Sequence, residues 1–349
     1  MLEFSWFPPS FAEAYVIFRL FNEPMETLLV TGGAGFIGSS FVKKALDAGY
    51  RIRVIDNLST GTSEVASELR EMGVDVFIGD VRDSELLESV MNGIDAVIHL
   101  AAQVSVPISV QNPDETASIN IGGTESILSN CSKFGVKRVI VASSAAVYGE
   151  NENFPLSEKD GGDLLSPYAE SKWENEHQIS KARDDGLEAV ALRFFNVYGI
   201  GQRPDSAYAA VIPKFVEMMA QGKAPQVHGD GLQTRDFVHV NDVCSAILRF
   251  LNPVWYGEAE HVFNVATQTR KSLIDLIDEI NSSLGELDDS HVPLKPIFGS
   301  ARAGDIRHSM ADITRLKNAA NWKPTIKFSD GIRELVTEIY IKNQLESLI

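Results

Sequence analysis

Seven residues near the amino end, Gly32-Gly33-Ala34-Gly35-Phe36-Ile37-Gly38, limit the folds open to this chain more than any other stretch. An apolar, β-leaning run, Thr27-Leu-Leu-Val-Thr31, leads into them, and Ser39 to Ala48 follows with helical periodicity. The pattern is strand, glycine turn, helix. The glycines read equally as GxGxxG on Gly33, Gly35 and Gly38 or as GxxGxxG on Gly32, Gly35 and Gly38. In either frame they allow a tight turn, let backbone approach a pyrophosphate and seat the helix against the strand, its N-terminus facing the anion. A second strand, Arg51-Ile-Arg-Val-Ile55, ends in Asp56, 18 residues after Gly38. A carboxylate at about that separation accepts from a ribose hydroxyl and repels a 2'-phosphate, so the spacing predicts NAD rather than NADP.

The alternation continues through Val74–Ile78 before Gly79-Asp80-Val81, Asp95–Ile98 before His99-Leu100-Ala101-Ala102, then Lys137–Ala142 and Glu188–Leu192. Helical candidates fall at 113–134 and 166–184. Strands alternating with helices predict an α/β fold, a doubly wound parallel Rossmann sheet with ligands beyond the C-terminal ends of its strands. From Asn196 the alternation loosens and prolines recur at 204, 213, 225, 253, 293, 296 and 324. We therefore expect a cofactor-binding Rossmann domain over 26–195. A smaller, interleaved α+β substrate domain is expected over 196–349, with some segments returning to the sheet. Residues 1–25 read as an N-terminal extension of undisclosed role. Its charges and short apolar run, Phe11 to Phe21, fit neither a secretory leader nor a membrane span.

A formal charge of −17 over 349 residues opposes a nucleic-acid backbone or an anionic membrane surface, so neither is an expected partner. An anionic ligand must then be held by local arginines. Cys131 and Cys244 lack metal-ligand spacing, which predicts core thiols in a reducing, cytoplasmic setting and no metal. His99, His239 and His308 show no metal pattern either and are read as structural.

Chemistry is concentrated in Tyr168-Ala-Glu-Ser-Lys172, where a phenol and an ammonium stand one helical turn apart on one face. A free phenol titrates near ~10, and a fixed cation beside it favours the phenolate, so Tyr168 is a candidate base for a hydroxyl proton. Ser143 and Ser144 end the preceding strand.

Thr31-Gly-Gly-Ala-Gly-Phe-Ile-Gly38, Asp56-Asn-Leu-Ser, Gly79-Asp-Val-Arg82, His99-Leu-Ala-Ala102, Ser143-Ser144 with Val147-Tyr148-Gly149, Tyr168-x-x-x-Lys172 and Arg193-Phe-Phe-Asn196 stand in order along the chain. Together, over 26–345, they resemble the extended short-chain dehydrogenase/reductase family. The resemblance implies that Ser144 orients the sugar hydroxyl, that Tyr168 is the acid/base, and that Lys172 holds the nicotinamide ribose and depresses the phenol's pKa. It places NAD on Gly32, Gly35, Phe36, Ile37, Gly38, Asp56, Asn57, Asp80, Val81, Leu100, Ala101 and Ala102, besides Tyr168 and Lys172.

Family members that eliminate water carry Asp-Glu directly after the hydroxyl residue, and the sugar-acid decarboxylases carry Glu in the second of those places. This chain has Ala145 and Ala146. Without a second carboxylate, what remains is reversible hydride transfer at one carbon, hence epimerisation at C4 through a 4-keto sugar.

Gln202 to Pro213, Gln233 to Asp242 and Arg302 to Asp312 are similar to the segments that sugar-nucleotide epimerases place on uridine and diphosphate. The implied substrate residues are Ser105, Ser144, Asn196, Gln202, Tyr208, Arg235, Arg302, Asp305 and Ser309. Ser309, small where hexose-restricted members carry tyrosine, implies room for an N-acetyl group. The implied activity is a UDP-hexose 4-epimerase with tightly bound NAD, working as a homodimer through helices near 113–134 and 166–184. Two other readings stay open: an NAD-linked sugar-nucleotide reductase or dehydrogenase, and a non-catalytic NAD-binding scaffold.

Overall fold

The computed structural model describes residues 26–203, 211–251, 260–301 and 306–346. β1 (Thr27–Thr31), α1 (Phe36–Asp47), β2 (Arg51–Asp56), α2 (Ser63–Glu71), β3 (Asp75–Ile78), α3 (Ser84–Met91) and β4 (Ala96–His99) alternate along the chain. After α4 (Val106–Gln111) comes one continuous helical run, α5 (Pro113–Ala117), a π turn (Ser118–Gly122) and α6 (Gly123–Phe134). Then follow β5 (Arg138–Ser144), α7 (Pro167–Asp184) and β6 (Glu188–Phe194).

These strands are near-continuous apolar runs because both of their faces are covered. Successive side chains serve opposite cores. Leu28, Val30, Val54, Ile98, Ile140 and Leu192 pack on one side of the sheet, and Leu29, Ile55, Val97, Val139, Val141 and Ala191 on the other. Cys131 and Cys244 are buried thiols.

The second half runs β7 (Asn196–Tyr198), α8 (Val211–Ala220), β8 (Gln226–His228), β9 (Thr234–Arg235), β10 (Phe237–His239) and α9 (Val240–Phe250). It continues through β11 (Val262–Val265), β12 (Lys271–Ser272), α10 (Leu273–Leu287), β13 (Ile297–Gly299), α11 (Thr314–Ala320) and α12 (Phe328–Glu346). β11 leaves this half and pairs with β6, completing a parallel sheet of order β11-β6-β5-β4-β1-β2-β3. The remaining strands pair only in twos, β7 with β10, β9 with β12 and β8 with β13, over a third core that includes Phe215, Val216, Leu276, Ile280, Ile332 and Val336.

Between β1 and β4 the direction of winding reverses, which opens a crevice beyond the strand ends. Among the described residues no helix is long and apolar enough to cross a membrane.

Candidate active site

The glycine turn lies at that crevice. Gly32 has φ +69°, and a Cβ there would stand 2.8 Å from the Ala101 nitrogen; a Cβ on Gly38 would stand 2.1 Å from the Gly32 oxygen. Both positions therefore require glycine, one for its left-handed backbone and one so that α1 can lie against the turn. Gly35 caps α1 without a side-chain hydrogen bond, leaving the helix N-terminus to an incoming anion, with half-buried Phe36 and Ile37 in its first turn.

Asp56, 7% exposed, accepts from the Ala34 N–H (2.9 Å) through Oδ2 and from the Leu58 N–H (2.8 Å) through Oδ1, tying the turn to the end of β2. Asn57 beside it accepts from the Ser59 N–H. At the end of β3, Arg82 grips Asp80 with two N–H donors (2.9 and 2.8 Å) and holds its carboxyl below the usual range, while Val81 is buried beneath. Leu100 and Ala101 leave β4 with their N–H groups on the Thr31 carbonyl and hydroxyl, and Ala102 follows them. A turn closed to side chains, an open helix N-terminus and an acid one strand away fit a dinucleotide.

α7 starts at Ser166, whose hydroxyl accepts from the Ala169 N–H, with Pro167 in the first turn. It lies so that the last three residues of β5 meet three successive turns. The Ser144 hydroxyl favours the ionised form of Tyr168. The Ala142 carbonyl accepts from Lys172 Nζ at 2.8 Å, and the Ser143 hydroxyl donates to Glu176 Oε1 at 2.5 Å. Ser144 also accepts from the Ala146 N–H, capping the short turn Ala145–Tyr148.

Lys172 is 4% exposed, and burial pushes its pKa down to about 8 against the pull of Glu176. The Tyr168 phenol departs from the expectation that Lys172 depresses it. Burial pushes it up, the Ser144 hydroxyl opposes, and the ammonium stands 6.0 Å from the ring centre. In the chain alone, removal from water outweighs the Ser144 hydroxyl.

A buried polar chain that periodicity conceals runs behind these residues. Thr31 Oγ1 meets His99 Nδ1 (2.7 Å), and His99 Nε2 meets Thr124 Oγ1 (3.1 Å). Asn120, in the π turn, donates to the Ser171 hydroxyl and to the Gln103 carbonyl, while Asn175 donates to Thr124 and to the Asn120 carbonyl. Sequence reasoning missed Asn120, Ser171, Asn175 and Glu176. The available signal was Glu176 continuing the four-residue interval of Tyr168 and Lys172. His99 stays neutral, with burial and Lys172 pushing it down to about 3. Among the described residues no group of His, Cys, Asp and Glu could hold a metal.

The implied substrate residues are more scattered. The Ser105 hydroxyl caps α4 by accepting from the Ile108 N–H. Asn196 is exposed at the start of β7, and Gln202 donates to the Val197 carbonyl. Arg235 lies on β9, and the Ser309 N–H donates to the Thr234 carbonyl at 3.1 Å, setting Ser309 beside that strand. Asp236, fully buried, accepts from Thr267 and from the Ala311 N–H, and burial pushes it up to about 6. Tyr208, Arg302 and Asp305 lie outside the described residues.

The sequence profile of the NAD-dependent epimerase/dehydratase family matches residues 28–266. The chain belongs to this family. A UDP-N-acetylglucosamine 4-epimerase from Methanobrevibacter ruminantium, solved with UDP-N-acetylmuramic acid, is 35% identical, superposes with TM-score 0.83, and is covered over 99% of its length by 92% of this chain. The UDP-glucose 4-epimerase of Thermus thermophilus, solved with NAD, is 33% identical with TM-score 0.77, over 90% of this chain and 98% of that one. A UDP-N-acetyl-alpha-D-glucosaminuronate decarboxylase of Bacillus cytotoxicus is 30% identical, over 88% of this chain and 96% of the relative. The relatives of this chain thus include proteins named for epimerase and for decarboxylase chemistry.

Proposed function

We propose that the chain is an NAD-dependent UDP-hexose 4-epimerase. The observation that carries this reading is that Ser144, Tyr168 and Lys172 meet at the end of β5, two strands across the sheet from β1, and that the residues after Ser144, Ala145 and Ala146, carry no carboxylate. Elimination and decarboxylation in this fold call for a second acid or base there, and epimerisation at C4 does not.

NAD would be held on the glycine turn, with Asp56 for its ribose, and would supply a reversible hydride acceptor. Tyr168, as its phenolate, would take the C4 hydroxyl proton as C4 is oxidised to the 4-keto sugar and, as the phenol, would give it back when C4 is reduced from the other face. Ser144 hydrogen-bonds that oxygen, and Lys172 supplies positive charge. Arg235, Arg302, Asn196, Gln202, Tyr208 and Asp305 bind the sugar nucleotide, the two arginines supplying the local counter-charge that its diphosphate needs in an acidic chain. Ser309 leaves room for an acetamido group, so UDP-GlcNAc and UDP-GalNAc are interconverted as well as UDP-glucose and UDP-galactose. The working unit is a cytoplasmic homodimer.

The test is direct. Purified protein should carry NAD, seen by absorbance, and should convert UDP-galactose to UDP-glucose without added cofactor. A requirement for stoichiometric NADH or NADPH would mark a reductase, and inertness toward every UDP-sugar would mark a scaffold.

A further inference from the structure

Glu176 is costly where it stands. It is 5% exposed, and a carboxylate taken out of water needs compensating partners. It has them. Arg193 on β6, itself 2% exposed, meets it with two parallel bonds, Nε to Oε1 at 2.8 Å and Nη2 to Oε2 at 2.7 Å, and the Ser143 hydroxyl adds a third. The guanidinium is fixed in turn. Its Nη1 donates to the Glu158 carbonyl at 3.0 Å, and it lies 4.8 Å from the Tyr148 ring centre and 5.5 Å from that of Trp173.

Stability alone does not call for such an arrangement, because apolar groups of similar volume often serve a core as well as a buried ion pair. What apolar groups cannot supply is a fixed negative charge. Tyr168, Lys172 and Glu176 repeat at intervals of four along α7, so the acid lies on the face that carries the candidate catalytic pair. Among the described residues the other groups around Lys172 offer no counter-charge: His99 on β4 is neutral, Tyr168 is a phenol, and Arg193 on β6 is a cation turned onto Glu176. The Ala142 carbonyl orients the amine without neutralising it.

We propose that Glu176 is a positioning residue for the reaction, a carboxylate clamped by Arg193 and Ser143 that keeps Lys172 a cation beside Tyr168. The proposal rests on the roles given above to Tyr168 and Lys172. It accounts for a buried lysine that burial draws toward its neutral form and Glu176 draws back, so that without Glu176 it sheds its proton at lower pH.

The experiment is an NMR titration of lysine side chains carbon-labelled at Cε, on the protein as isolated, with the Lys172 signal assigned by its loss in Lys172→Met. Glu176→Gln should lower the Lys172 midpoint by about one pH unit. In turnover, the alkaline fall of kcat should begin about one pH unit lower, KM for the sugar nucleotide should hold, and Glu176→Asp should recover part of the difference. An unmoved lysine midpoint, or a loss of kcat equal at every pH, overturns the proposal. Should the lone arginine unfold Glu176→Gln, the double variant Glu176→Gln with Arg193→Met removes both charges, and the same two readings decide. If the wild-type protein turns over no UDP-sugar, the epimerase reading fails while the lysine titration still tests the clamp.

Discussion

The candidate cofactor residues, Tyr168 and Lys172 apart, stand at the ends of β1 to β4, strands of four to six residues, three of which are packed largely between two cores. Arg235 and Ser309, by contrast, rest on a two-residue strand and the segment hydrogen-bonded to it. The difference separates two demands. Reacting groups must be held within fractions of an ångström, which sheet ends backed by a core provide, whereas a sugar pocket on short strands and loops can change its walls without disturbing the sheet. The first half should therefore fail by losing chemistry, and the second by changing preference.

The largest effect belongs to the first half. Tyr168→Phe should lower kcat roughly 10²–10⁴-fold while bound NAD and the thermal midpoint stay near wild type, measured by steady-state assay, cofactor release and calorimetry. Near-normal turnover would remove Tyr168 from the mechanism.

In the second half, Ser309→Tyr should cost roughly a hundredfold on UDP-GalNAc and leave UDP-galactose within a few-fold, because filling a pocket penalises the larger sugar alone. Equal losses on both sugars would place Ser309 away from the C2 substituent.

A smaller change of preference is open to the first half as well. Asp56→Ser combined with Asn57→Arg should move the NAD/NADP affinity ratio toward NADP by roughly ten- to a hundredfold, the worth of one hydrogen bond to a charged group. The same pair of carboxylate bonds ties down the glycine turn, so a lower thermal midpoint should accompany it.

The halves should also differ in how they answer acid, by about a kcal/mol or more for each unit of pKa difference. His99 titrates at 6.5 ordinarily and about 3 when folded, so the unfolded chain takes up a proton first and His99 costs stability as pH falls from 6.5 toward 3. Asp236 goes from 3.8 up to about 6 on folding. Its folded form takes the proton first, so its contribution rises as pH falls from 6 to 3.8. Thermal midpoints against pH should show His99→Gln losing the first dependence and Asp236→Asn the second; unchanged curves would refute the assignment.

The glycine turn, Asp56 and the Tyr168/Lys172 interval were legible because each depends on a residue type at a fixed spacing. The Asn120, Ser171 and Asn175 chain was not, since polar residues at helical spacing read as a solvated face and only the π turn brings Asn120 to α7. The direction of the Tyr168 shift was lost for a similar reason, because a sequence shows the neighbouring cation and not the depth of burial. Ser105 follows a local rule instead, its hydroxyl being spent on capping α4.

The return of β11 to the sheet bears on how the chain is made. Val262 pairs with Ala191 and Asn264 with Arg193, partners 71 residues apart. Asn264 also receives the Tyr148 hydroxyl and donates to the Leu156 and Asp312 carbonyls, while its N–H reaches Glu158. During synthesis, β6 emerges long before this partner and waits as an unpaired edge whose Ala189, Val190, Ala191 and Leu192 are destined for complete burial. The loop that contains Glu158 waits with it. A nascent chain of this architecture thus carries a sticky strand across some seventy residues of translation, which makes the interval before β11 appears the time of greatest exposure to misassociation.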